Sequence, residues 1–287
     1  MYEMLLHSNG RGVSVEKFAI TINNEPVLAK KGETILEVAR RSGHFIPTLC
    51  YLPKLKPISS CRLCVVEVEG ANGLVLSCQT QVSEGLNITT NSEMLESFRS
   101  EIMKFYCVNH PLECGVCDKS GECLLQNYTL FQGVADQGFS AREHKRDIKE
   151  WDFIRYDESL CVLCERCVHT CNEIIGDDAI KIRYGGYSSK IVSANQDGLE
   201  CSNCGECVQV CPVGALTSSD FTYSSNAWEL KKVSASCAHC SSACYIEYEI
   251  KSNYDEQAIY RASSDVDFST LCGAGRFGFD FENRVEE

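Results

Sequence analysis

The chain has 287 residues, a formal net charge of −13 and 20 cysteines. This acidic balance argues against nucleic-acid binding and favours docking to protein surfaces, basic ones among them. The sequence has neither the run of about 18 apolar residues that spans a bilayer nor the apolar core of a secretory signal. Without a signal, cysteines at C-x2-C spacing predict metal ligands in a reducing cytosol, whereas a secreted chain would use them in disulfides.

The first part of the chain predicts a small β-grasp domain. Residues 18–22 alternate like a strand, Asn23 and Asn24 favour a turn, and residues 26–29 return as a second strand. Thr34 and Glu37 then fit a capping box that begins a helix.

That helix is expected to stop at Gly43, and a cysteine-bearing loop follows it. Residues 65–68 are valine-rich and predict a strand that leads toward the fourth cysteine of the first set. The set consists of Cys50, Cys61, Cys64 and Cys78.

This first set predicts a binuclear iron–sulfur cluster. The close pair Cys61 and Cys64 can share one iron, which leaves Cys50 and Cys78 for the other. The first gap is ten residues, against four in the plant-type pattern, so the loop differs from that of soluble plant ferredoxins. Four cysteines also suit zinc, and zinc remains an alternative here.

A helix from about residue 92 until the approach to Pro111 is predicted next. Leu95, Phe98, Ile102 and Phe105 recur at helical spacing and are expected to form its apolar face. The helix leads to a second set of candidate ligands, His110, Cys114, Cys117 and Cys123. Three cysteines leave one iron of a tetranuclear cluster without a ligand, and either His110 or Cys107 could supply it.

The stretch 161–211 contains an internal repeat. The pattern C-x2-C-x2-C-x3-C occurs twice, offset by 40 residues, and the second copy ends in Cys-Pro as bacterial ferredoxins do. In such pairs the fourth cysteine of each run ligates the other cluster, so two tetranuclear clusters with crossed ligation are predicted. The first has Cys161, Cys164, Cys167 and Cys211 as ligands, and the second has Cys171, Cys201, Cys204 and Cys207. Residues 180–182 and 191–192, between the two runs, can supply strands.

The last set, Cys237, Cys240, Cys244 and Cys272, predicts a fifth cluster. Its spacing is less specific, so zinc is again the alternative. The sequence has neither the G-x-G-x-x-G nor the G-x-x-x-x-G-K-[ST] pattern, and no site for NADH, flavin or ATP is predicted. Electrons would therefore arrive from one protein and leave to another.

The sequence predicts an α+β protein organised as an N-terminal tail and four metal-binding domains. They are the tail 1–16, a β-grasp [2Fe-2S] domain at 17–91, a helical [4Fe-4S] domain with one-His three-cysteine ligation at 92–150, a ferredoxin-like 2x[4Fe-4S] domain at 151–222, and a [4Fe-4S] domain that opens a molybdopterin-oxidoreductase-like region at 223–287. Residues 132–147, near the end of the helical domain, are polar and are interpreted as a connector.

These motifs together resemble the N-terminal iron–sulfur region of the 75 kDa (G-type) subunit family of NADH-quinone oxidoreductase, respiratory complex I. The segments that carry the resemblance are 46–50, 60–70, 110–118 and the combination of Cys272 with 275–278. The family pattern favours His110 over Cys107 as the fourth ligand. The same modules occur in NAD-linked formate dehydrogenases and in hydrogenases, and all eight cysteines of the repeat are more typical of those relatives and of some bacterial complex I versions.

The resemblance implies electron transfer from a flavin subunit that oxidises NADH toward quinone-side iron–sulfur subunits. Electrons would enter at the binuclear cluster and pass through a ferredoxin-like cluster and the His110 cluster, with the Cys237 cluster off this path. The chain would lie on the cytoplasmic face of the inner membrane and contact the membrane only through the complex. An electron-transfer arm of a formate dehydrogenase or hydrogenase and a zinc-stabilised scaffold are the alternatives.

Overall fold

The computed structural model describes residues 16–138, 146–195, 198–253 and 256–280. Of the predicted N-terminal tail, only Glu16 is among the described residues. Residues 139–145, in the middle of the predicted connector, also lie outside them.

The chain divides into two compact units. The first comprises residues 1–46 and 64–95, and the second comprises residues 47–63 and 96–287. The loop 47–63, which precedes the 65–68 strand in chain order, thus belongs to the second unit by its contacts. This placement assigns Cys50 and Cys61 to the second unit and Cys64 and Cys78 to the first.

The first unit is a five-stranded mixed sheet with one helix. Its strands are β1 (Lys17–Ile22), β2 (Glu25–Lys30), β3 (Val65–Val68), β4 (Val75–Leu76) and β5 (Asn87–Thr89), in the order β2-β1-β5-β3-β4. β1 and β5 are parallel and the other neighbours are antiparallel. Helix α1 (Ile35–Arg41) buries Ile35, Leu36 and Val38 completely, as expected for an element that supplies the core of a small domain.

The local signals in this unit are confirmed. Asn23 and Asn24 have positive φ values of 51° and 67°, as a two-residue hairpin turn requires, and they join the two antiparallel strands predicted there. The Thr34 side chain accepts from the Glu37 backbone, and the Glu37 carboxylate accepts from the Thr34 backbone at 2.7 Å. Gly43 follows α1 with φ of 83°, the left-handed backbone that glycine adopts without a steric cost.

The second unit contains five helices and three small sheets within the described residues. The helices are α2 (Glu93–Asn109, whose first three residues fall in the first unit), α3 (Leu124–Phe131), α4 (Arg166–His169), α5 (Glu206–Gln209) and α6 (Gly273–Phe277). The strands are β6 (Ile148–Trp151), β7 (Ile154–Asp157), β8 (Ile180–Arg183), β9 (Lys190–Ser193), β10 (Leu216–Ser218), β11 (Lys231–Ser236), β12 (Tyr245–Asn253) and β13 (Glu256–Ser263). They pair antiparallel as β10-β7-β6, β8-β9 and β11-β12-β13, which confirms the strands predicted at 180–182 and 191–192.

Helix α2 begins and ends close to the predicted positions, but its predicted apolar face is partly wrong. Leu95 is fully buried and Ile102 packs against the core, whereas Phe98 is 38% and Phe105 72% exposed. The buried face turns instead toward Arg99, whose Nε donates to the carbonyl of Leu63 at 3.2 Å. An arginine stem can cover apolar surface while its head finds a hydrogen-bond acceptor, so apolar spacing alone assigned the wrong face.

The core of the second unit is built partly from the candidate ligands themselves. Leu49, Leu52, Met103, Ile154 and Tyr156 pack in one cluster with several of the cysteines. Those buried cysteines are Cys50, Cys61, Cys123, Cys164, Cys167 and Cys211. Within the described part of the chain, no helix is both long enough and apolar enough to cross a membrane.

Candidate metal centres

The two cysteine runs of the repeat have the same backbone conformation. Leu163 and Asn203, forty residues apart, both have φ of 51°. Glu165 and Gly205, at the same offset, have φ of 67° and 70°, and α4 and α5 begin directly after them. Each run therefore makes the same tight turn, with two residues in left-handed backbone, before a short helix begins.

The thiols of the first predicted group influence one another. Burial raises the pKa of Cys161 to about 11, and the nearby thiolate of Cys211 adds to the rise. Burial also raises the pKa of Cys164 and of Cys167, and Cys211 contributes in both cases. The fourth cysteine of the second run thus lies near the first three cysteines of the first run.

The second group shows the complementary arrangement. Burial raises the pKa of Cys171, and the Cys204 thiolate adds to the effect. Burial also raises the pKa of Cys201 and of Cys207, and in both cases Cys171 is among the charges that reinforce it. One influence crosses between the groups, from Cys207 to Cys167, so the two groups are adjacent. These influences agree with the crossed ligation predicted from the sequence, which stays a prediction.

The His110 set surrounds a single cavity. Its lining includes the four predicted ligands together with other side chains of the second unit: His110, Pro111, Glu113, Cys114, Cys117, Ser120, Cys123, Gln126, Leu160 and Gly214. His110 follows the last residue of α2, and Cys123 caps α3 with its Sγ accepting from the backbone N–H of Gln126 at 3.5 Å. Burial lowers the pKa of His110 to about 4, so its imidazole is neutral at pH 7 and keeps a lone pair for a metal.

Backbone packing closes one side of this cavity. A Cβ atom at Gly214 would lie 2.5 Å from the Sγ of Cys117, so only glycine allows the approach. Cys107, the alternative fourth ligand, is buried, and its Sγ lies 3.8 Å from the Thr129 hydroxyl. Cys107 is not among the residues that line the cavity. The geometry therefore favours His110.

The first cysteine set contains two close sulfur pairs, one in each unit. The Sγ atoms of Cys50 and Cys61 are 3.3 Å apart, and those of Cys64 and Cys78 are also 3.3 Å apart. Two thiolates that share a tetrahedral metal at about 2.3 Å lie roughly 3.8 Å apart, close to these separations. The observed pairs therefore favour a different sharing from the predicted one, in which Cys61 and Cys64 share an iron.

The Cys237 set is presented more openly. Cys237 is buried, Cys244 is half-buried, and Cys240 and Cys272 are exposed. The Cys237 N–H donates to the Cys244 carbonyl at 2.8 Å, and Cys272 precedes α6 as its N-terminal cap residue. A Cβ at Gly275 of α6 would lie 3.4 Å from the Cys237 Sγ, so the fold brings the two ends of this set together.

Hydrogen bonds from the backbone and hydroxyl of Ser242 lower the pKa of Cys240. Within the described residues, no group of three or more His, Cys, Asp or Glu side chains is identified as a site for a single metal ion. Thiolates are the ligands that iron–sulfur clusters take, and the neutral His110 beside three cysteines suits the same chemistry, so the donor sets fit clusters.

Sequence reasoning missed three buried charged side chains that lie among these loops. Arg166, Glu206 and Arg276 are 6%, 1% and 4% exposed. One sequence signal for two of them was available, because Arg166 and Glu206 occupy the same position in the two copies of the repeat.

Three family models match successive parts of the chain. A 2Fe-2S iron–sulfur cluster binding domain matches residues 15–93. The NADH-ubiquinone oxidoreductase-G iron–sulfur binding region matches residues 99–137, and the ferredoxin-like domain of NADH-quinone oxidoreductase subunit 3 matches residues 152–217. These three matches end before Cys237.

Curated relatives match nearly the whole chain. The NADPH-Fe(3+) oxidoreductase subunit alpha of Geobacter sulfurreducens is 38% identical over 92% of this chain and 31% of its own length. The second G-type subunit of the NADH-quinone oxidoreductase of Rhizobium meliloti is 35% identical over 91% of this chain and 31% of its own length. The chain thus spans about a third of the length of these relatives.

A solved structure has the same fold over most of the chain. A chain in the crystal structure of NAD+-reducing [NiFe]-hydrogenase in the H2-reduced state matches with a TM-score of 0.67 and 29% identity. The match covers 72% of this chain and 90% of the hydrogenase chain. Fold and cysteine loops together define a mixed α/β iron–sulfur protein with a 2Fe-2S domain and 4Fe-4S binding domains. Over nearly its whole length the chain is similar to G-type subunits of NADH-quinone oxidoreductase.

Proposed function

We propose that the chain is the electron-relay part of an NADH-quinone oxidoreductase of the complex I type, without a substrate site of its own. The names of the similar proteins support this proposal, because each of the three includes a nicotinamide nucleotide as one reactant. Their other reactants are Fe(3+), quinone and hydrogen. The three proteins thus share a nicotinamide nucleotide as a reactant and differ in the other one. The match to NADH-quinone oxidoreductase chains favours quinone as the final electron acceptor.

The observation that carries the proposal is the contact between successive cysteine loops of the second unit. The Ser60 hydroxyl, beside Cys61, donates to the carbonyl of Cys164 at 3.4 Å. Burial raises the pKa of Tyr106, and the charges of Cys61, Cys50 and Cys164 add to it, so this ring lies among both loops. No solvent-exposed segment separates the Cys50–Cys61 loop from the first run of the repeat at this contact.

The His110 set adjoins the same group from another side. The backbone N–H of Leu124 donates to the carbonyl of Pro212 at 2.9 Å, which joins Cys123 and Cys211 through neighbouring residues. Burial raises the pKa of Cys123 to about 11, and the charges of Cys117 and Cys211 add to the rise. These contacts support a relay that runs from the binuclear site through the first run of the repeat to the His110 site.

We infer one [2Fe-2S] and four [4Fe-4S] clusters, with the twenty ligands predicted from the sequence. The 2Fe-2S family match spans all four cysteines of the first set, and the close pairs favour Cys50 with Cys61 and Cys64 with Cys78 on separate irons. Iron–sulfur clusters supply the acceptance and release of single electrons. Direct contact between the loops that would hold them, as between Ser60 and Cys164, would keep the electron jumps between neighbouring clusters short.

The proposed partners are a flavin subunit that oxidises NADH and quinone-side iron–sulfur subunits. The net charge of −13 suits docking to basic protein surfaces. The proposed location is the cytoplasmic face of the inner membrane, with membrane contact through the other subunits. The four predicted metal-binding domains remain part of this proposal.

Anaerobic iron and sulfide analysis of the full chain tests the proposal. Five loaded clusters require about 18 iron atoms per chain. Stoichiometric zinc with little sulfide would instead show a scaffold. His110→Ala should remove one tetranuclear signal from the electron paramagnetic resonance (EPR) spectrum, while Cys107→Ser, the matched control, should keep all signals. The reverse result would make Cys107 the fourth ligand.

A further inference from the structure

Two buried charged residues occupy equivalent positions in the repeat and reach toward different cysteine loops. Arg166, between Cys164 and Cys167, donates from Nη2 to the carbonyl of Tyr51 at 2.8 Å, directly beside Cys50. Glu206 holds the same place forty residues later and points toward the C-terminal part of the chain. One copy of the repeat therefore contacts the binuclear loop, and the other contacts the segment that carries Cys272.

The Glu206 carboxylate is surrounded by donors. It accepts from the backbone N–H of Leu271 at 3.0 Å, one residue before Cys272, and it pairs with the Arg276 guanidinium of α6. Lys54 places its Nζ 3.3 Å from the other carboxylate oxygen and also donates to the carbonyl of Ser269 at 3.0 Å. Lys54 comes from the loop between Cys50 and Cys61, so one buried carboxylate joins three cysteine-bearing segments.

Arg276 makes the reciprocal contacts. Its Nε donates to the carbonyl of Cys204 at 2.9 Å, and its Nη1 donates to the Gln209 side chain at 2.7 Å. Each end of this guanidinium is thus fixed by the loop that carries the second run of the repeat. A buried charge with fixed partners on both sides resists displacement, because loss of one partner leaves the other uncompensated.

Glycines allow α6 to approach this loop closely. A Cβ at Gly205 would overlap the Cδ of Arg276 and lie 2.6 Å from the Cζ of Phe277. A Cβ at Gly273 would lie 2.7 Å from the carbonyl oxygen of Asn203. The loop and α6 therefore each place a glycine, without a side chain, at the contact. Cys272, at the start of α6, is held against the loop of Cys201, Cys204 and Cys207.

We propose that Glu206 and Arg276 are positioning residues that hold the Cys237 metal site at a short, fixed separation from the Cys201 site. The inference rests on the proposed function, because it concerns clusters at both sites. It departs from the expectation that the Cys237 cluster lies off the relay. With all eight cysteines present in the repeat, the second run connects the relay to the C-terminal set.

The test is EPR of the full chain, reconstituted anaerobically with iron and sulfide and then reduced. Two reduced clusters at a short, fixed separation broaden and split each other's signals. Wild-type protein should show this interaction between the Cys201 and Cys237 clusters. Glu206→Gln keeps the side-chain shape but removes the charge, and it should lose the splitting while iron and sulfide stay unchanged.

Two further variants separate positioning from general stability. Arg276→Lys keeps the charge but cannot reach Cys204, Gln209 and Glu206 together, so it should reduce the splitting and retain part of it. Glu247→Gln is the matched control, because it breaks the Lys232–Glu247 ion pair (3.4 Å) in the C-terminal sheet, where Lys232 is exposed. It should leave the splitting intact.

Unchanged splitting in both Glu206→Gln and Arg276→Lys would overturn the inference, as would fully loaded wild-type protein without any splitting. If neither variant loads the Cys201 site, Glu206 supports that site itself and the positioning role is wrong. These outcomes leave the proposed function standing. Wild-type protein that binds no iron would instead overturn the proposed function.

Discussion

The repeat at 161–211 and the C-terminal segment at 231–277 present their cysteines in different ways. In the repeat, Cys164, Cys167 and Cys211 are 7%, 7% and 8% exposed and pack inside the core that contains Ile154 and Tyr156, while the other five cysteines are half-buried. In the C-terminal set only Cys237 is comparably buried, at 7%. Its core is small, with Ile246, Ala262 and Leu271 as the other buried members.

The difference shows two ways to organise a metal site. In the repeat, packing of the protein already brings buried thiols close together, and the charges of neighbouring thiolates raise their pKa values. The C-terminal set depends on the docking of α6 and on the ligands that the metal itself would draw in. Cluster binding contributes folding free energy in both cases, but loss of a ligand should spread further in the repeat.

The largest expected effect separates the two regions directly. Cys211→Ser should remove the cluster of Cys161, Cys164 and Cys167 and destabilise the whole second unit, since the binding free energy of a structural metal site is also folding free energy. Cys272→Ser should remove one cluster and leave the other signals in place. Thermal unfolding and EPR of the two variants measure the contrast, and equal damage from both would refute it.

Cys171→Ala tests the crossing within the repeat. It should disturb the cluster of Cys201, Cys204 and Cys207, because the Cys171 charge acts on two of those thiols. Measured coordinates that place the Cys171 sulfur on an iron shared with Cys161, Cys164 and Cys167 would show that the crossed assignment is wrong.

A second effect concerns pH in the metal-free chain. Burial raises the pKa of Cys161 from 9.0 to about 11, so the unfolded thiol ionises first. The contribution of this group to stability is therefore complete below pH 9 and is lost as the pH rises through 11, by about 2–3 kcal/mol at most. Urea unfolding between pH 8 and pH 11 should show the decline, and a Cys161→Ala chain should show less of it.

The sequence predicted those parts of the fold whose causes are local. The asparagine turn, the capping box of Thr34 and Glu37, and the end of α2 before Pro111 all depend on residues within a few positions of each other. The exposed Phe105 and the buried Arg99 could not be predicted, because the partner of Arg99 is the carbonyl of Leu63, far along the chain. The same holds for the contacts of Glu206, which join segments that no periodicity relates.

The candidate metal sites could likewise be predicted only in part from the sequence. Cysteine spacing predicted the groups of candidate ligands, because C-x2-C loops bring neighbouring thiols together, and these groups stay a prediction. Spacing could not show which sulfurs lie together within the first set, since Cys50 and Cys61 meet across a loop of ten residues. It also could not show that Gly214 closes the His110 cavity, because only the packed structure brings these residues together.

A third effect concerns that glycine. Gly214→Ala places a methyl group 2.5 Å from the Cys117 Sγ, and overpacking of this kind costs about 1–3 kcal/mol. The variant should unfold at lower temperature and load the His110 cluster poorly, with the repeat still loaded. Gly138→Ala is the control, because its Cβ would meet nothing within 4 Å. Equal stability of the two variants would show that the cavity can relax.

The smallest effect is expected at an exposed thiol of the C-terminal set. The backbone and the hydroxyl of Ser242 lower the pKa of Cys240, so in the metal-free chain this thiol should react with iodoacetamide faster than the buried thiols of the repeat. Ser242→Ala removes the hydroxyl and keeps the backbone donor, so the pKa should rise only part of the way to its ordinary value. Mass spectrometry of the alkylated chain should then show slower reaction at Cys240 below pH 9, with unchanged thermal unfolding. Ser241→Ala, at the position between Cys240 and Ser242, should leave the alkylation rate of Cys240 unchanged. If Cys240 reacts no faster than Cys164 in the wild-type chain, the two regions do not differ in access to their ligands, and the distinction between a preorganised repeat and an open C-terminal set is lost.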